Sequence, residues 1–173
     1  MNTIETARLT LRPFTPADLD RVAELMSDAG FMSFSAAGPA DRDEAARFLE
    51  RMLERHVRNE PSQFAVVRRD EQSLIGYCGF FPQTVDGLEE IEIAYRLHPE
   101  HWGYGFATEA ARAVREHAFA TLRLPRVISL IHPENHRSRR VAEKNEMVLE
   151  KETVFRGFQV QVFAATRLGD AGG

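Results

Sequence analysis

The pattern of hydrophobic and polar residues predicts seven β-strands, some by alternation with a period of two and one, Arg126–Ile131, by a buried apolar run. The clearest case is Glu89–Leu97, where apolar residues occupy every second position and Glu90, Glu92 and Arg96 lie on the opposite face. The predicted strands are Ala7–Arg12, Gln63–Arg68, Leu74–Phe81, Glu89–Leu97, Arg126–Ile131, Val148–Phe155 and Gln159–Arg167.

Apolar residues spaced three and four positions apart predict four helices between these strands. Thr15 suits the cap of the first helix, and Pro16 suits its first turn. The others are predicted at Asp41–Val57, from the end of a glycine-containing loop to about Leu122, and at Asn135–Lys144. We therefore expect a mixed α/β fold with about seven strands and four helices, in a single domain over residues 1–173 with a disordered tail at 168–173.

Composition and charge narrow the classes of protein. The net charge of −4 argues against nucleic-acid binding as the main task, because that task needs a basic surface. We expect no membrane association, because no apolar run approaches about 20 residues, and no secretion signal. The lone Cys78 excludes an intrachain disulfide and a multi-thiolate metal site; it is expected to pack in the core of a cytoplasmic protein that holds no metal.

The most informative segment is a loop with glycines at alternate positions, Gly103 and Gly105, between a predicted strand and a helix. Glycines let main-chain N–H groups approach an anion, and the first turn of the helix adds its unpaired donors. The loop lacks the third glycine of a dinucleotide-binding fingerprint and the lysine of a Walker loop. An acyl-coenzyme A pyrophosphate site and a tight turn without a ligand both remain open.

Three segments, in this order and spacing, resemble the GNAT acetyltransferase superfamily: IEIAYRL, HPEHWGYGFATEA and IHPENHRSRRVAEKNEM. Together with the opening ETARLTLRPFTPADLD, they make the chain similar to the branch that acetylates N-terminal amines of ribosomal proteins. The resemblance covers residues from about 5 to 167. It implies the acyl-CoA N-acyltransferase fold, a mostly antiparallel sheet that splays between the Glu89–Leu97 and Arg126–Ile131 strands to admit the cofactor.

The resemblance implies acetyl-CoA as the cosubstrate and assigns its binding residues by position. The family's pyrophosphate loop matches Trp102–Ala107, and main-chain donors as far as Thr108 are expected to grip the diphosphate. The main chain of the preceding strand is expected to pair with the pantetheine arm, which two residues of the last helix also contact. The assigned residues are Tyr95, Arg96, Leu97, Trp102, Gly103, Tyr104, Gly105, Phe106, Ala107, Thr108, Asn135 and Ser138.

Three positions depart from the family's pattern. Trp102 stands where the family often has Gln or Arg, although a Trp-Gly pair is common in this branch. Ala142 stands where many relatives carry a tyrosine that protonates the departing thiolate. Glu146 replaces the usual glycine at the end of the last helix, so we expect Asn145 to take the left-handed conformation instead.

Glu92 and Ser138 are the candidate catalytic residues. Glu92 would accept a proton from the amine, directly or through water, unless it is only the solvated side of an amphipathic strand. Ser138 would donate a hydrogen bond to the departing thiolate, unless it only caps a helix or faces solvent. Asp86, Glu89, Glu90 and Glu92 would together form an acidic mouth that attracts a cationic amine.

These expectations describe an acetyl-CoA-dependent N-acetyltransferase in which the amine attacks the thioester directly, without an acyl-enzyme. The acceptor is either a protein N-terminus or a small-molecule amine such as an amino acid, polyamine or aminoglycoside. A non-catalytic acyl-CoA sensor also remains open, as does the choice between monomer and homodimer. Acceptor selection is expected in Gly30–Pro39 and the Arg156–Phe158 turn; within the first loop, Phe31, Met32 and Phe34 either complete the core or cover a substrate groove.

Overall fold

The computed structural model describes residues 3–35 and 37–167. Within these ranges eight strands form one sheet in the order β1-β2-β3-β4-β5-β6-β8-β7. All neighbouring strands are antiparallel except β5 and β6. The strands are β1 (Ile4–Glu5), β2 (Leu9–Arg12), β3 (Gln63–Arg68), β4 (Ser73–Val85), β5 (Leu88–Leu97), β6 (Arg126–Ile131), β7 (Val148–Phe155) and β8 (Phe158–Thr166).

Four α-helices complete the part of the chain that the structure describes, and they confirm the expected mixed α/β fold. They are α1 (Leu19–Ser27), α2 (Arg42–Val57), α3 (Phe106–Ala120) and α4 (His136–Lys144). The one strand that the sequence did not predict is β1, which has only two residues and so carries no periodicity. The tail that we expected to be disordered, 168–173, lies outside the described residues.

Short polar motifs fix where the helices begin. Asp41 accepts a 2.8 Å hydrogen bond from the main-chain N–H of Glu44, whose carboxylate accepts a 3.0 Å bond from the N–H of Asp41. This reciprocal capping box satisfies two N–H groups that α2 cannot pair internally. Before α1, the carboxylate of Asp18 accepts hydrogen bonds from the Thr15 N–H at 2.7 Å and from Arg12 at 2.7 Å.

The helices cover both faces of the sheet and bury a hydrophobic core on each. Helices α3 and α4 pack on one face, where Ile93 and Leu97 of β5 contribute to the core. Helices α1 and α2 cover the other face. Because side chains alternate along a strand, Glu92, Ala94 and Arg96 point toward the α1–α2 face. No helix in the described part of the chain is long and apolar enough to cross a membrane.

The sheet divides between β5 and β6. In the described residues these strands pair at a single position, Glu92 with Ile128. One residue further along, the hydroxyl of Ser129 donates a 2.8 Å hydrogen bond to the carbonyl of Ile93 and closes the junction. Beyond Ile93 the main chain of β5 has no partner strand on its β6 side, so a cleft opens there as the resemblance implies.

Candidate active site

The loop before α3 leaves a set of main-chain donors open. Gly103 and Gly105 have φ angles of 84° and 82°, a left-handed conformation that glycine adopts readily. Gly105 is the N-terminal cap of α3 and has no side chain with which to cap it. The N–H groups of Phe106, Ala107 and Thr108 therefore lack intrahelical acceptors, at the positive end of the helix dipole. Such a terminus fits a phosphate group.

Arg8 fixes this loop from the other end of the chain, a contact that sequence reasoning missed. Its guanidinium donates a 2.8 Å hydrogen bond to the carbonyl of Tyr104 and a 2.7 Å bond to Glu109 of α3. The hydroxyl of Thr6 donates a further 2.6 Å bond to Glu109. Burial raises the pKa of Glu109, but these hydrogen bonds outweigh it and hold the pKa below its ordinary value. The carboxylate thus stays ionised beside Arg8.

Trp102 links the loop back to the end of β5. Its indole N–H donates a 2.7 Å hydrogen bond to the carbonyl of Leu97. The guanidinium of Arg137, from α4, lies 4.1 Å from the centre of the indole ring. The predicted loop residues therefore lie together between the end of β5 and the first turns of α3 and α4.

The main chain of β5 presents only part of the predicted set to the cleft. The Arg96 carbonyl faces β4, because a Cβ added to Gly76 would lie 2.0 Å from it. This corrects the expectation that the Arg96 main chain pairs with a pantetheine arm. The Leu97 carbonyl is on the open side but is bonded to Trp102. By alternation Tyr95 also turns its main-chain groups to the open side, where the described part of β6 offers no partner.

The side chain of Arg96 has a different task, which the sequence did not reveal. It donates hydrogen bonds to the carbonyls of Phe31 at 3.2 Å and Ser33 at 3.1 Å, and so holds the loop after α1 over the cleft face. Phe31 itself is buried in the core, as is Met32. Phe34 is 51% exposed, and its ring centre lies 5.3 Å from that of His132, at the end of β6. The loop therefore both completes the core and borders the cleft.

The first turn of α4 faces β5 across the cleft. Asn135 caps the helix by accepting a 3.1 Å hydrogen bond from the N–H of Ser138. The Ser138 carbonyl accepts a 2.9 Å hydrogen bond from the hydroxyl of Tyr95. Burial raises the pKa of Tyr95, so this phenol stays protonated. Helix capping is thus done by Asn135, and among the described residues no donor or acceptor engages the Ser138 hydroxyl.

Glu92 lies at the junction from which the sheet divides. Only 8% of the residue is exposed, so it is not the solvated side of a strand. Its carboxylate accepts a 2.7 Å hydrogen bond from the side-chain amide of Gln83, on β4. Burial raises the pKa of Glu92, and hydrogen-bond donors on Gln83 and on the main chain of Leu130 offset this only in part. A carboxylate whose pKa is shifted toward neutrality is suited to accept a proton.

The acidic mouth expected around Glu92 is wrong, because its other carboxylates are paired or turned away. Glu90 forms a 3.1 Å ion pair with Arg126. Asp86 forms a 2.7 Å ion pair with Lys151 of β7. Glu89, by alternation, lies on the opposite face of β5 from Glu92. The sequence placed these acids near one another but contained no signal for their cationic partners on β6 and β7.

The end of α4 departs from expectation at one residue. Asn145 has a φ of −94°, and Glu146 adopts the left-handed conformation with a φ of 58°. The carboxylate of Glu146 forms a 2.7 Å ion pair with Arg115 of α3, which helps to hold this conformation. Ala142, in the position of the family's tyrosine, is 1% exposed and packs in the α3–α4 core.

Cys78 takes no part in the cleft. It is fully buried, and burial raises the pKa of its thiol, which confirms the expected core position. In the ranges that the structure describes, no three His, Cys, Asp or Glu side chains form a group that could hold a metal ion.

Comparisons with known proteins agree with this geometry. Residues 8–148 match a family model described as an acetyltransferase (GNAT) domain. The uncharacterized N-acetyltransferase YnaD of Bacillus subtilis is 33% identical over 141 residues, which cover 82% of this chain and 79% of YnaD. A GNAT-family acetyltransferase structure from Bacillus anthracis is 26% identical, with a TM-score of 0.81 over 95% of this chain and 98% of its own. The fold is also that of RimL, a ribosomal L7/L12 alpha-N-protein acetyltransferase solved with coenzyme A (TM-score 0.80, 16% identity, 97% and 99% coverage).

Proposed function

Because the chain belongs to the GNAT acetyltransferase family, whose members use acetyl-CoA, we propose that it moves an acetyl group from acetyl-CoA to a primary amine. The amine attacks the thioester directly in a ternary complex, without an acyl-enzyme. The single observation that carries the proposal is that β5 connects two features, Glu92 at its junction with β6 and, after its end, the loop with open donors before α3. The protein's single, buried cysteine, Cys78, fits a protein of the reducing cytoplasm.

The segment Trp102–Thr108 is our proposed diphosphate site. The left-handed glycines, the uncapped first turn of α3 and the Arg8 anchor support it. A Cβ added at Gly103 would have no atom within 4 Å, so the main chain is open to a ligand there. Tyr95 would pair with the pantetheine arm through its main chain, near Asn135 and Ser138 in the first turn of α4.

Glu92 is the proposed general base. Its burial and raised pKa support a proton-accepting role near neutral pH. A protein N-terminal amine has a pKa of about 7.7–8.0 and loses its proton more easily than a lysine amine, at about 10.4. The Glu92 carboxylate lies on the α1–α2 face, so the amine would enter from the side bordered by Phe34 and Arg96.

Ser138 is the proposed hydrogen-bond donor to the departing thiolate. Its main-chain N–H and carbonyl are both engaged, by Asn135 and Tyr95, which fixes the position of the residue. Its hydroxyl has no hydrogen bond to another described residue and can turn toward the cleft. The family's usual donor position is filled by the buried Ala142, which has no proton to give.

The acceptor is either a protein N-terminus or a small amine. Saturating acetyl-CoA should raise the melting temperature, as any ligand of the native state does. The transfer is tested by incubating the protein and acetyl-CoA with a panel of peptides and small amines and detecting acetylated products by mass spectrometry. The absence of a thermal shift overturns the cosubstrate, and binding without any product favours the sensor.

A variant pair separates a transferase from a sensor. Glu92→Gln should lower kcat by about 100-fold or more, the usual contribution of a general base, while the affinity for acetyl-CoA is retained. Glu89→Gln is the matched control, because Glu89 is an exposed residue of the same strand on the opposite face. Equal activities of the two variants would remove Glu92 from the mechanism.

A further inference from the structure

The guanidinium of Arg156 lies beside Gln83, at the edge of the sheet face that carries Glu92. Arg156 lies in the turn between β7 and β8, and its guanidinium donates a 3.2 Å hydrogen bond to the side-chain oxygen of Gln83. The same guanidinium lies 4.9 Å from the ring centre of Phe155. In the described ranges no carboxylate comes within ion-pair distance of it.

Gln83 connects this cation to the reaction centre. Its carbonyl oxygen accepts from Arg156 and its amide N–H donates to Glu92 at 2.7 Å. The side chain of Gln83 therefore bridges the guanidinium of Arg156 and the carboxylate of Glu92. The positive charge also acts on Glu92 through space, since Arg156 is among the charges that favour its ionised form.

The ion pairs that surround Arg156 in the described residues do not include it. Asp86 is paired with Lys151 at 2.7 Å, and Arg126 bridges Glu90 and Glu150 at 3.1 and 2.7 Å. Lys151 balances the charge of Asp86, and the single cation Arg126 is shared by two carboxylates. Arg156 keeps donors that Gln83 does not use, in the planar arrangement that matches carboxylate and phosphate oxygens.

We infer that Arg156 forms an anion subsite beside Glu92, and that the acceptor is an amine that also carries a carboxylate or phosphate close to its amino group. The inference rests on the proposed function and deepens it, since it names the class of acceptor. A carboxylate can come from a free amino acid or from an acidic side chain near a peptide N-terminus. A polyamine has no anionic group and would be repelled by the guanidinium.

The test uses matched acceptors that differ only in their carboxylates. Glutamate is compared with its diamide, a peptide beginning with Asp is compared with the same peptide beginning with Asn, and putrescine serves as the cationic amine. Initial rates of thiol release from acetyl-CoA give kcat and KM for each. Arg156→Ala should raise KM about 10- to 100-fold for the carboxylated acceptors, leave KM for their neutral partners unchanged and improve turnover of putrescine.

Two further variants make the result specific to charge. Arg156→Lys should recover part of the loss, because it restores the cation without the planar pair of donors. Arg123→Ala is the matched control, since Arg123 is another exposed arginine with a positive φ, 57°, located after α3. It should behave as wild type. The carboxylated acceptor that Arg156→Ala weakens more, free glutamate or the Asp peptide, identifies the source of the anion.

The outcomes separate this inference from the proposed function. Turnover of neutral or cationic amines with no advantage for carboxylated ones overturns the subsite and leaves the transferase standing. An equal rise of KM for charged and neutral partners in Arg156→Ala likewise overturns it. Binding of acetyl-CoA with no turnover of any acceptor overturns the proposed function, and the subsite with it.

Discussion

The hydroxyl of Tyr95 donates a 2.9 Å hydrogen bond to the carbonyl oxygen of Ser138, across the open side of β5. In the described residues β5 and β6 pair only at Glu92 and Ile128, so at Tyr95 the two strands have already separated. A side chain therefore sets the distance between β5 and the first turn of α4. Ser138, the candidate hydrogen-bond donor to the thiolate, is thus held in place by Tyr95 of β5, the strand proposed to pair with the pantetheine arm.

Tyr95→Phe should lower the free energy of unfolding by about 0.5–1.5 kcal/mol. The variant removes one hydrogen bond and leaves a partly buried carbonyl without its donor. Urea denaturation measures the change. Tyr104→Phe is the control, because Tyr104 is 65% exposed and removal of its hydroxyl should leave the free energy of unfolding unchanged. Equal stabilities of Tyr95→Phe and wild type would show that the bond does not hold α4.

Gly105→Val should weaken acetyl-CoA binding about 10-fold or more. A branched residue resists the φ of 82° and blocks the approach of a ligand to the first turn of α3. Gly87→Val is the control, since Gly87 has a φ of 80° in the turn between β4 and β5. Both variants should lose stability, but calorimetry should detect weaker binding in Gly105→Val alone. Unchanged affinity there would make the loop purely structural.

Glu92→Gln should stabilise the protein at neutral pH and have little effect in acid. Burial raises the pKa of Glu92 above its ordinary value of 4.5, so the folded state resists ionisation more than the unfolded state does. Below pH 4.5 the carboxyl is protonated in both states and carries no penalty. As the pH rises through the folded pKa, the wild type loses stability that the variant keeps. Urea denaturation at acidic and neutral pH measures the difference, and a gap that shrinks as pH rises would contradict the burial of this charge.

Ser138→Ala should lower kcat about 2- to 10-fold and leave the affinity for acetyl-CoA unchanged. One neutral hydrogen bond to the departing group contributes this much when it forms in the transition state. Ser27→Ala is the control, because the Ser27 hydroxyl bonds only to the carbonyl of Glu24 within α1. Wild-type turnover by Ser138→Ala would remove the residue from the reaction.

Local patterns predicted most of the fold. The apolar run Arg126–Ile131 predicted a buried strand, and β6 has the same bounds. The alternating glycines indicated a tight turn between β5 and α3, and both residues adopt the left-handed conformation there. These features depend on neighbouring residues, so the sequence contains the whole signal.

Contacts between distant residues were beyond such patterns. Arg8 and Glu109 are 101 positions apart, and nothing local to either segment indicates that they meet. The same is true of Arg126, whose charge cancels the Glu90 carboxylate that sequence reasoning left free. The error at Asn145 had a different origin, because an ion pair to Arg115 favours the left-handed conformation at Glu146 instead.

The complete burial of Cys78 has a practical consequence. It is the only cysteine of the chain, and with no surface exposure it should not react with thiol reagents in the folded protein. Tyr104→Cys would then introduce one accessible thiol at an exposed position of the loop before α3. A fluorescent dye attached to that thiol would report the binding of acetyl-CoA directly, without any need to know the acceptor amine.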